Sequence, residues 1–243
     1  FSEEGVQEVS NGSFSQEGAE LVTNGSFDTD SDWTKQTGWS ISGGTANCDG
    51  TQTANSLIYQ SGVFASADSF KCEVTISNYQ SGVLRFVLGG GGSEQSYSAN
   101  GTYTFYGTKG SDNNLYLSAN SDFIGSIDNV SVREVGQDWT LGTGWSIGEN
   151  KAICDGTNTS LSEIRQTSVT TIGKQYKITF KVNEVNNVIE LKGNAVYTRV
   201  DTLGVGTHTI YITADATYIR FLAFVGSTCS ITNISVKEVG QNW

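Results

Sequence analysis

Proline and methionine are absent from this 243-residue chain, and only one histidine occurs. Basic residues are also scarce, since 14 Lys and Arg stand against 25 Asp and Glu and give a net charge of −11. Nucleic acids and anionic membrane surfaces are bound through clustered cations, so we expect neither as a partner. No apolar run approaches the roughly 20 residues of a membrane-spanning helix.

The scarcity of histidine also limits catalysis. His208 lies in a Gly-Thr-His-Thr segment, which is typical of a turn or strand edge, and gives little basis for a Ser-His-Asp or Cys-His constellation. Metal-binding Cys-x-x-Cys and His spacings are missing from the sequence. The glycine-rich run at 88–93 lacks the lysine of a phosphate loop. We therefore predict that the chain is not an enzyme.

What the sequence has in abundance is strand-forming and turn-forming residues. Twenty-nine glycines separate short runs in which apolar and polar residues alternate, as in 70–76 and 176–182. No sustained 3.6-residue period occurs, so we expect almost no helix. About eight short strands per hundred residues predict an all-β fold of the two-sheet sandwich or jelly-roll type.

A long internal repeat predicts two such domains in tandem. The segment DWTKQTGWSISGGTANCDGT from Asp32 matches DWTLGTGWSIGENKAICDGT from Asp138, and SIDNVSVREVGQDW ending at Trp139 matches SITNISVKEVGQNW ending at Trp243. We assign repeat one to residues 19–135 and repeat two to residues 136–239. Residues 240–243 are interpreted as the start of a following repeat, and Phe1 as an internal residue of a longer polypeptide.

A second, shorter repeat precedes these domains. FSEEGVQEVSNGS at 1–13 is followed by FSQEGAELVTNGS at 14–26, and each unit contains an Asn-Gly turn signal. A 13-residue unit cannot bury its own Val and Phe, so residues 1–18 are predicted to stack as a narrow multimeric stalk, with a trimer as one form. A disordered acidic linker is the alternative interpretation.

Several of these motifs resemble known families. ELVTNGSFD at the domain start, an early Gly-Trp and a closing SIDNVSV resemble jelly-roll carbohydrate-binding modules of families 4, 9 and 22. VSVREVGQDW running almost directly into GTGWSI also resembles repeated modules in structural proteins of tailed, notably marine, bacteriophages. The first resemblance implies glycan binding on a sheet face or edge, and the second a fibre, head-decoration or adhesion component of a virion.

Aromatic residues supply the candidate glycan contacts. The four tryptophans at matching places in the two repeats are predicted to be core residues. A glycan platform is sought instead among the tyrosines of repeat one, namely Tyr59, Tyr97, Tyr103 and Tyr116. Ordinary cross-strand tyrosine pairing is the alternative. In repeat two, Arg165, His208 and Arg220 replace Tyr59, Tyr103 and Tyr116.

The resemblance to carbohydrate-binding modules also implies a structural calcium ion in repeat one. The matching carboxylates are Asp28 and Asp128, and the remaining oxygens that calcium requires would come from backbone carbonyls. Repeat two has Thr232 in place of Asp128, so a second calcium is not expected. The alternative is that Asp128 accepts hydrogen bonds from nearby donors.

The four cysteines are not equivalent between the repeats. Cys48 corresponds to Cys154, whereas Cys72 corresponds to an isoleucine and Cys229 to a glycine. We therefore predict free thiols rather than a shared disulfide.

Together these features predict a non-enzymatic virion fibre or surface-decoration and adhesion protein, extracellular or on the virion surface. Its expected partners are a cell-surface or extracellular glycan, other virion proteins and further copies of itself. Two alternatives stay open: an accessory glycan-binding region of a secreted polysaccharide-degrading enzyme, and a purely structural filament subunit.

Overall fold

A computed structural model describes residues 4–65, 69–192 and 198–240 and confirms the predicted all-β fold. The chain divides into two compact units, which we call the first domain (Glu17–Glu134) and the second domain (Phe1–Gln16 together with Val135–Trp243). Within the described ranges, the single helix is the four-residue α1 (Val200–Leu203). No helix in this part of the chain is long and apolar enough to cross a membrane.

The first domain is a sandwich of a six-stranded and a five-stranded antiparallel sheet. With strands numbered along the whole chain, its strands are β2 (Glu17–Glu20), β3 (Thr34–Lys35), β4 (Trp39–Ser42), β5 (Thr45–Asp49), β6 (Ser56–Gln60), β7 (Phe70–Ser81), β8 (Leu84–Leu88), β9 (Glu94–Tyr97), β10 (Gly101–Gly107), β11 (Leu115–Ala119) and β12 (Ile124–Val135). The order in the six-stranded sheet is β10-β7-β12-β5-β4, and β2 pairs with β12. The order in the five-stranded sheet is β3-β6-β11-β8-β9.

The second domain repeats this architecture. Its strands are β1 (Glu4–Gln7), β13 (Thr140–Leu141), β14 (Trp145–Gly148), β15 (Lys151–Asp155), β16 (Ser162–Thr167), β17 (Gln175–Asn186), β18 (Ile189–Lys192), β19 (Thr198–Arg199), β20 (Gly206–Thr213), β21 (Tyr218–Ala223) and β22 (Thr228–Val239). The order in the six-stranded sheet is β14-β15-β22-β17-β20, and β1 pairs with β22. The order in the five-stranded sheet is β13-β16-β21-β18-β19.

Alternating side chains build both cores, because successive residues of a strand point to opposite faces. In β7 and β17 the apolar sets at 70–76 and 176–182 are almost completely buried, while the polar residues between them face outward. The tryptophans predicted to be core residues are at most 8 % exposed: Trp33, Trp39, Trp139 and Trp145. All four cysteines are buried and free, and Cys154 lies opposite Cys229 on the paired strands β15 and β22.

The prediction of a separate stalk or linker over residues 1–18 was wrong for the described part of that segment. Strand β1 pairs with β22, with Glu4 opposite Val239, and so completes a sheet of the second domain. Strand β2 pairs with β12 in the same way in the first domain. The two 13-residue units are therefore the opening strands of the two sandwiches. Residues 1–3 and 241–243 lie outside the described part of the chain.

Ion pairs fix both opening strands in equivalent places. Glu4 contacts the ammonium groups of Lys177 and Lys237, and hydrogen bonds from these lysines lower the pKa of the Glu4 carboxyl. In the first domain Glu17 contacts Lys71 at 2.9 Å and Arg133 at 4.0 Å. These side chains are partly exposed, so each pair contributes little to stability and serves mainly to fix the register.

The Asn-Gly-Ser-Phe turn after each opening strand docks on the last strand of its domain. Phe14 adopts a left-handed conformation (φ 56°), is 1 % exposed and packs on Trp139 with ring centroids 5.3 Å apart. A Cβ on Gly12 would lie 2.0 Å from the carbonyl oxygen of Ile234, so only glycine fits there. Phe27 and Trp33 repeat this contact at 5.1 Å in the first domain.

The Phe14–Trp139 and Phe27–Trp33 contacts predict which domain each phenylalanine stabilises. Phe14→Ala should lower the free energy of unfolding of the second domain by about 3–5 kcal/mol, because it removes a fully buried ring from beside Trp139. Phe27→Ala, the matched control, should destabilise the first domain by a similar amount. Hydrogen exchange of peptides from 135–239 and from 17–134, read by mass spectrometry, measures the two effects separately. Faster exchange of the first domain in Phe14→Ala would contradict this assignment.

Candidate functional site

Two of the four candidate tyrosines lie side by side on the outer face of the first domain's five-stranded sheet. Tyr59 on β6 is directly opposite Tyr116 on β11, and their ring centroids are 5.7 Å apart with planes tilted by 43°. Their neighbours Ile58 and Leu117 are completely buried, so the tyrosines project from the opposite face. Both rings are partly exposed. We call this pair the tyrosine platform.

The surroundings hold the platform in a fixed geometry. The Tyr116 hydroxyl donates to Asp112 Oδ2 at 3.0 Å and accepts from Asn114 Nδ2 at 2.8 Å. Val87 on β8 extends the row beyond Tyr116, and an Arg85–Glu94 ion pair of 3.3 Å lies farther along the same sheet. The platform is therefore a preorganised aromatic surface with polar groups on its margin.

The other two tyrosines form a separate pair at the margin of the sandwich. Tyr97 on β9 and Tyr103 on β10 stack with ring centroids 4.3 Å apart, and both pack against the core of the first domain. The Tyr103 hydroxyl donates to the carbonyl oxygen of Ala99 at 3.0 Å, while the buried Tyr97 hydroxyl has no hydrogen-bond partner. The structure thus places Tyr59 with Tyr116 and Tyr97 with Tyr103, and gives the second pair a packing role.

A polar depression of about 510 Å³ lies beside the end of β3 and the start of β6. Gln36 lines it, and its side-chain oxygen accepts a hydrogen bond from the Leu57 amide at 3.0 Å. The Ser56 hydroxyl donates to the Thr37 carbonyl at 2.6 Å. Gln36 and Ser56 are thus paired with backbone groups, whereas the buried side-chain oxygen of Gln52, which also lines the depression, has no partner.

The equivalent sheet face of the second domain has different chemistry. Arg165 and Arg220 face each other across β16 and β21, where the first domain has Tyr59 and Tyr116. The sequence comparison identified these two replacements. It did not identify their neighbour Lys192, since that lysine joins them only through the pairing of β18 with β21.

His208 has a structural environment. Its Nε2 lies 2.9 Å from the carbonyl oxygen of Gly204, and its ring lies 5.7 Å from that of Phe180. This agrees with the predicted turn or strand-edge role.

The two carboxylates suggested for calcium are each bound to neighbouring donors. Asp28 accepts from the Ser26 hydroxyl at 2.7 Å, and Asp128 accepts from the amide and the side chain of Asn129 at 2.6 and 3.2 Å. Across the ranges that the structure describes, no group of three or more His, Cys, Asp or Glu could hold a metal ion. The calcium site at Asp28 and Asp128, with further oxygens from backbone carbonyls, stays a prediction.

No protein-family model matches this chain, and no curated protein matches it in sequence. Among solved structures, the tandem CBM22-1–CBM22-2 domain of Paenibacillus barcinonensis Xyn10C is 12 % identical, covers 94 % of this chain and 92 % of its own, and gives a TM-score of 0.34. An allantoicase is 9 % identical over 90 % of this chain and 89 % of its own, with a TM-score of 0.30.

A Paenibacillus xanthan lyase is 13 % identical, covers 87 % of this chain and 25 % of its own, and gives a TM-score of 0.29. The resemblance to jelly-roll carbohydrate-binding modules is thus also found among solved structures. At these identities and TM-scores the likeness carries no argument about ligand or activity, so function must be argued from the residues themselves.

The environment of Tyr97 predicts a pH dependence. Burial raises the pKa of Tyr97 from 10 to about 12, so the folded state favours the neutral phenol. A raised pKa gives stability that is present below pH 10 and is lost as the pH rises through about 12. Chemical denaturation at a series of pH values should show that Tyr97→Phe loses less stability than the wild type across this window.

At neutral pH, Tyr97→Phe should also be more stable by up to about 1 kcal/mol, because it removes a buried hydroxyl that has no partner. The control is Tyr79→Phe, which should be less stable, since the Tyr79 hydroxyl donates to the Gly82 carbonyl at 3.0 Å. If Tyr97→Phe and the wild type lose the same free energy of unfolding at alkaline pH, burial of the Tyr97 phenol is not the cause of the loss.

Proposed function

We propose that this protein is a non-enzymatic, extracellular repeat protein that binds a glycan through the tyrosine platform of its first domain. The observation that carries the proposal is the Tyr59–Tyr116 pair, which the domain's core does not need and which lies on the outer face of a rigid sheet. Functional residues on strands are held more precisely than those on loops.

The chemistry of the platform suits a sugar ring. Tyrosine offers a large, rigid and amphipathic contact surface at a low cost in conformational entropy. Sugars present apolar C–H faces together with hydroxyl groups. The Tyr116 hydroxyl, Asp112 and Asn114 supply polar contacts around two rings that can pack on such a face.

The tandem repeat supports an adhesive role in a fibre or on a virion surface. Weak sites in series gain avidity when their spacing allows several to bind together. In this proposal the partners are cell-surface or extracellular glycans, other virion proteins and further copies of this chain, and neither nucleic acid nor membrane is among them. The alternative is an accessory region of a secreted polysaccharide-degrading enzyme, which would use the same platform. A catalytic domain in the same polypeptide would favour this alternative.

The proposal predicts that Tyr59→Ala/Tyr116→Ala lowers the affinity for a neutral polysaccharide by tenfold or more. Affinity electrophoresis in xylan, mannan and galactan measures this, with purified full chain. The control is Tyr211→Ala, which removes a 68 % exposed tyrosine from the second domain and should leave binding unchanged. Both variants should unfold within about 1 kcal/mol of the wild type, because the removed rings lie outside the core.

Three results would contradict the proposal. The first is absence of binding to every neutral polysaccharide tested, which would favour the purely structural filament. The second is equal loss of binding in Tyr211→Ala and the double variant. The third is turnover of a polysaccharide by this chain alone.

A further inference from the structure

The outer face of the second domain's five-stranded sheet carries a row of three cations. Arg165 on β16 is opposite Arg220 on β21, which is opposite Lys192 on β18. Adjacent strands are about 4.8 Å apart, so the row spans about 10 Å. Their neighbours Ile164, Phe221 and Leu191 are at most 2 % exposed, which fixes the cations on the outer face.

Two carboxylates lie in the next row of the same face. Glu163 contacts both guanidinium groups, at 3.2 Å from Arg165 and 2.5 Å from Arg220, and Glu190 lies 3.3 Å from Lys192. Among the residues that the structure describes, Arg165 and Arg220 thus share the single carboxylate of Glu163, so this pair keeps a positive excess although the whole chain has a net charge of −11.

The two guanidinium groups are held in place and incompletely satisfied. Both lie near the ring of Tyr218, with the Arg165 and Arg220 carbons 5.9 and 5.2 Å from its centroid. The Nε atom of each arginine is buried and has no hydrogen-bond partner. The Nε donors are shielded from solvent, so an additional anion would be bound by the terminal N–H groups that the one carboxylate of Glu163, shared by both arginines, leaves over.

A depression of about 540 Å³ adjoins this row of cations. It lies at the place equivalent to the depression of the first domain, but Gly142 occupies the place of Gln36, so the side chain that lines the first depression there is missing. A Cβ on Gly142 would lie 2.4 Å from the Ser162 hydroxyl, which is buried and without a partner. Leu161, 58 % exposed, adds an apolar wall, and Arg220 reaches the same depression.

We propose that this face binds an anionic saccharide, whose carboxylate or sulfate group is held by Arg165 and Arg220 while its ring packs in the depression beside Gly142 and Leu161. The choice of a saccharide rests on the proposed function, whereas the preference for negative charge rests on this face alone. The two domains thus present the same sheet face with opposite ligand preferences: aromatic in the first and cationic in the second.

The test measures binding of the full chain to polygalacturonate, which is carboxylated, to dextran sulfate, and to neutral dextran by isothermal titration calorimetry. At least one anionic polymer should bind, dextran should not bind to this face, and Arg220→Gln should lower the anionic affinity tenfold or more. The matched control is Arg85→Gln, which removes an ion-paired arginine from the outer sheet face of the first domain and should change the affinity less than twofold.

Glu163→Gln separates a binding role from a structural one. It removes the carboxylate that competes for both arginines, so anionic affinity should rise threefold or more, whereas a purely structural ion pair predicts no gain. The inference is overturned if neither anionic polymer binds, if Arg85→Gln loses as much affinity as Arg220→Gln, or if Glu163→Gln does not strengthen binding. If Tyr59→Ala/Tyr116→Ala loses binding to neutral glycans but keeps binding to anionic polymers, the two sites are independent. If the wild type binds anionic polymers but no neutral glycan, the tyrosine platform is refuted and the inference about the second domain stands.

Discussion

Docking of an Asn-Gly-Ser-Phe turn onto the last strand of each sandwich is the contact on which the rest of the structure depends. The glycine lets the turn approach a backbone carbonyl so closely that no side chain fits, and the following phenylalanine accepts a left-handed conformation to reach a buried tryptophan. That conformation costs roughly 1–2 kcal/mol for a residue other than glycine. Burial of the ring offsets the cost, and the sheet gains its sixth strand.

The second domain is discontinuous in sequence, because its opening strand and the turn that follows it come from the start of the chain. Its opening strand lies at residues 4–7, and the whole first domain is inserted before the chain returns at Val135. Repeat two has no NGSF segment of its own before Trp139, so Phe14 supplies the ring that Phe27 supplies in the first domain. The two short repeats have the same structural role, although the whole first domain separates the first repeat from the rest of the sandwich that it completes.

The aromatic and charged side chains proposed to contact ligands lie at outward-facing strand positions in both domains. Inward-facing residues are closely packed, so adding or removing even one methylene group there changes the stability of the domain. Outward positions are free of this constraint, which is how Tyr59 and Tyr116 can correspond to Arg165 and Arg220 on the same framework. The duplicated fold thereby carries an aromatic surface in one domain and a cationic one in the other, on the same arrangement of strands.

The sequence by itself determined the all-β class, the two sandwiches, the strands over 70–76 and 176–182, the buried tryptophans and the free cysteines. These follow from alternation and repetition, which are local properties of the chain. It could not assign residues 1–16 to the second domain, because strand pairing between residues more than 200 positions apart leaves no local pattern. Nor could it separate Tyr97 and Tyr103 from Tyr59 and Tyr116, or bring Lys192 beside Arg220. Those groupings depend on register between strands, and register is decided only when the sheets pack.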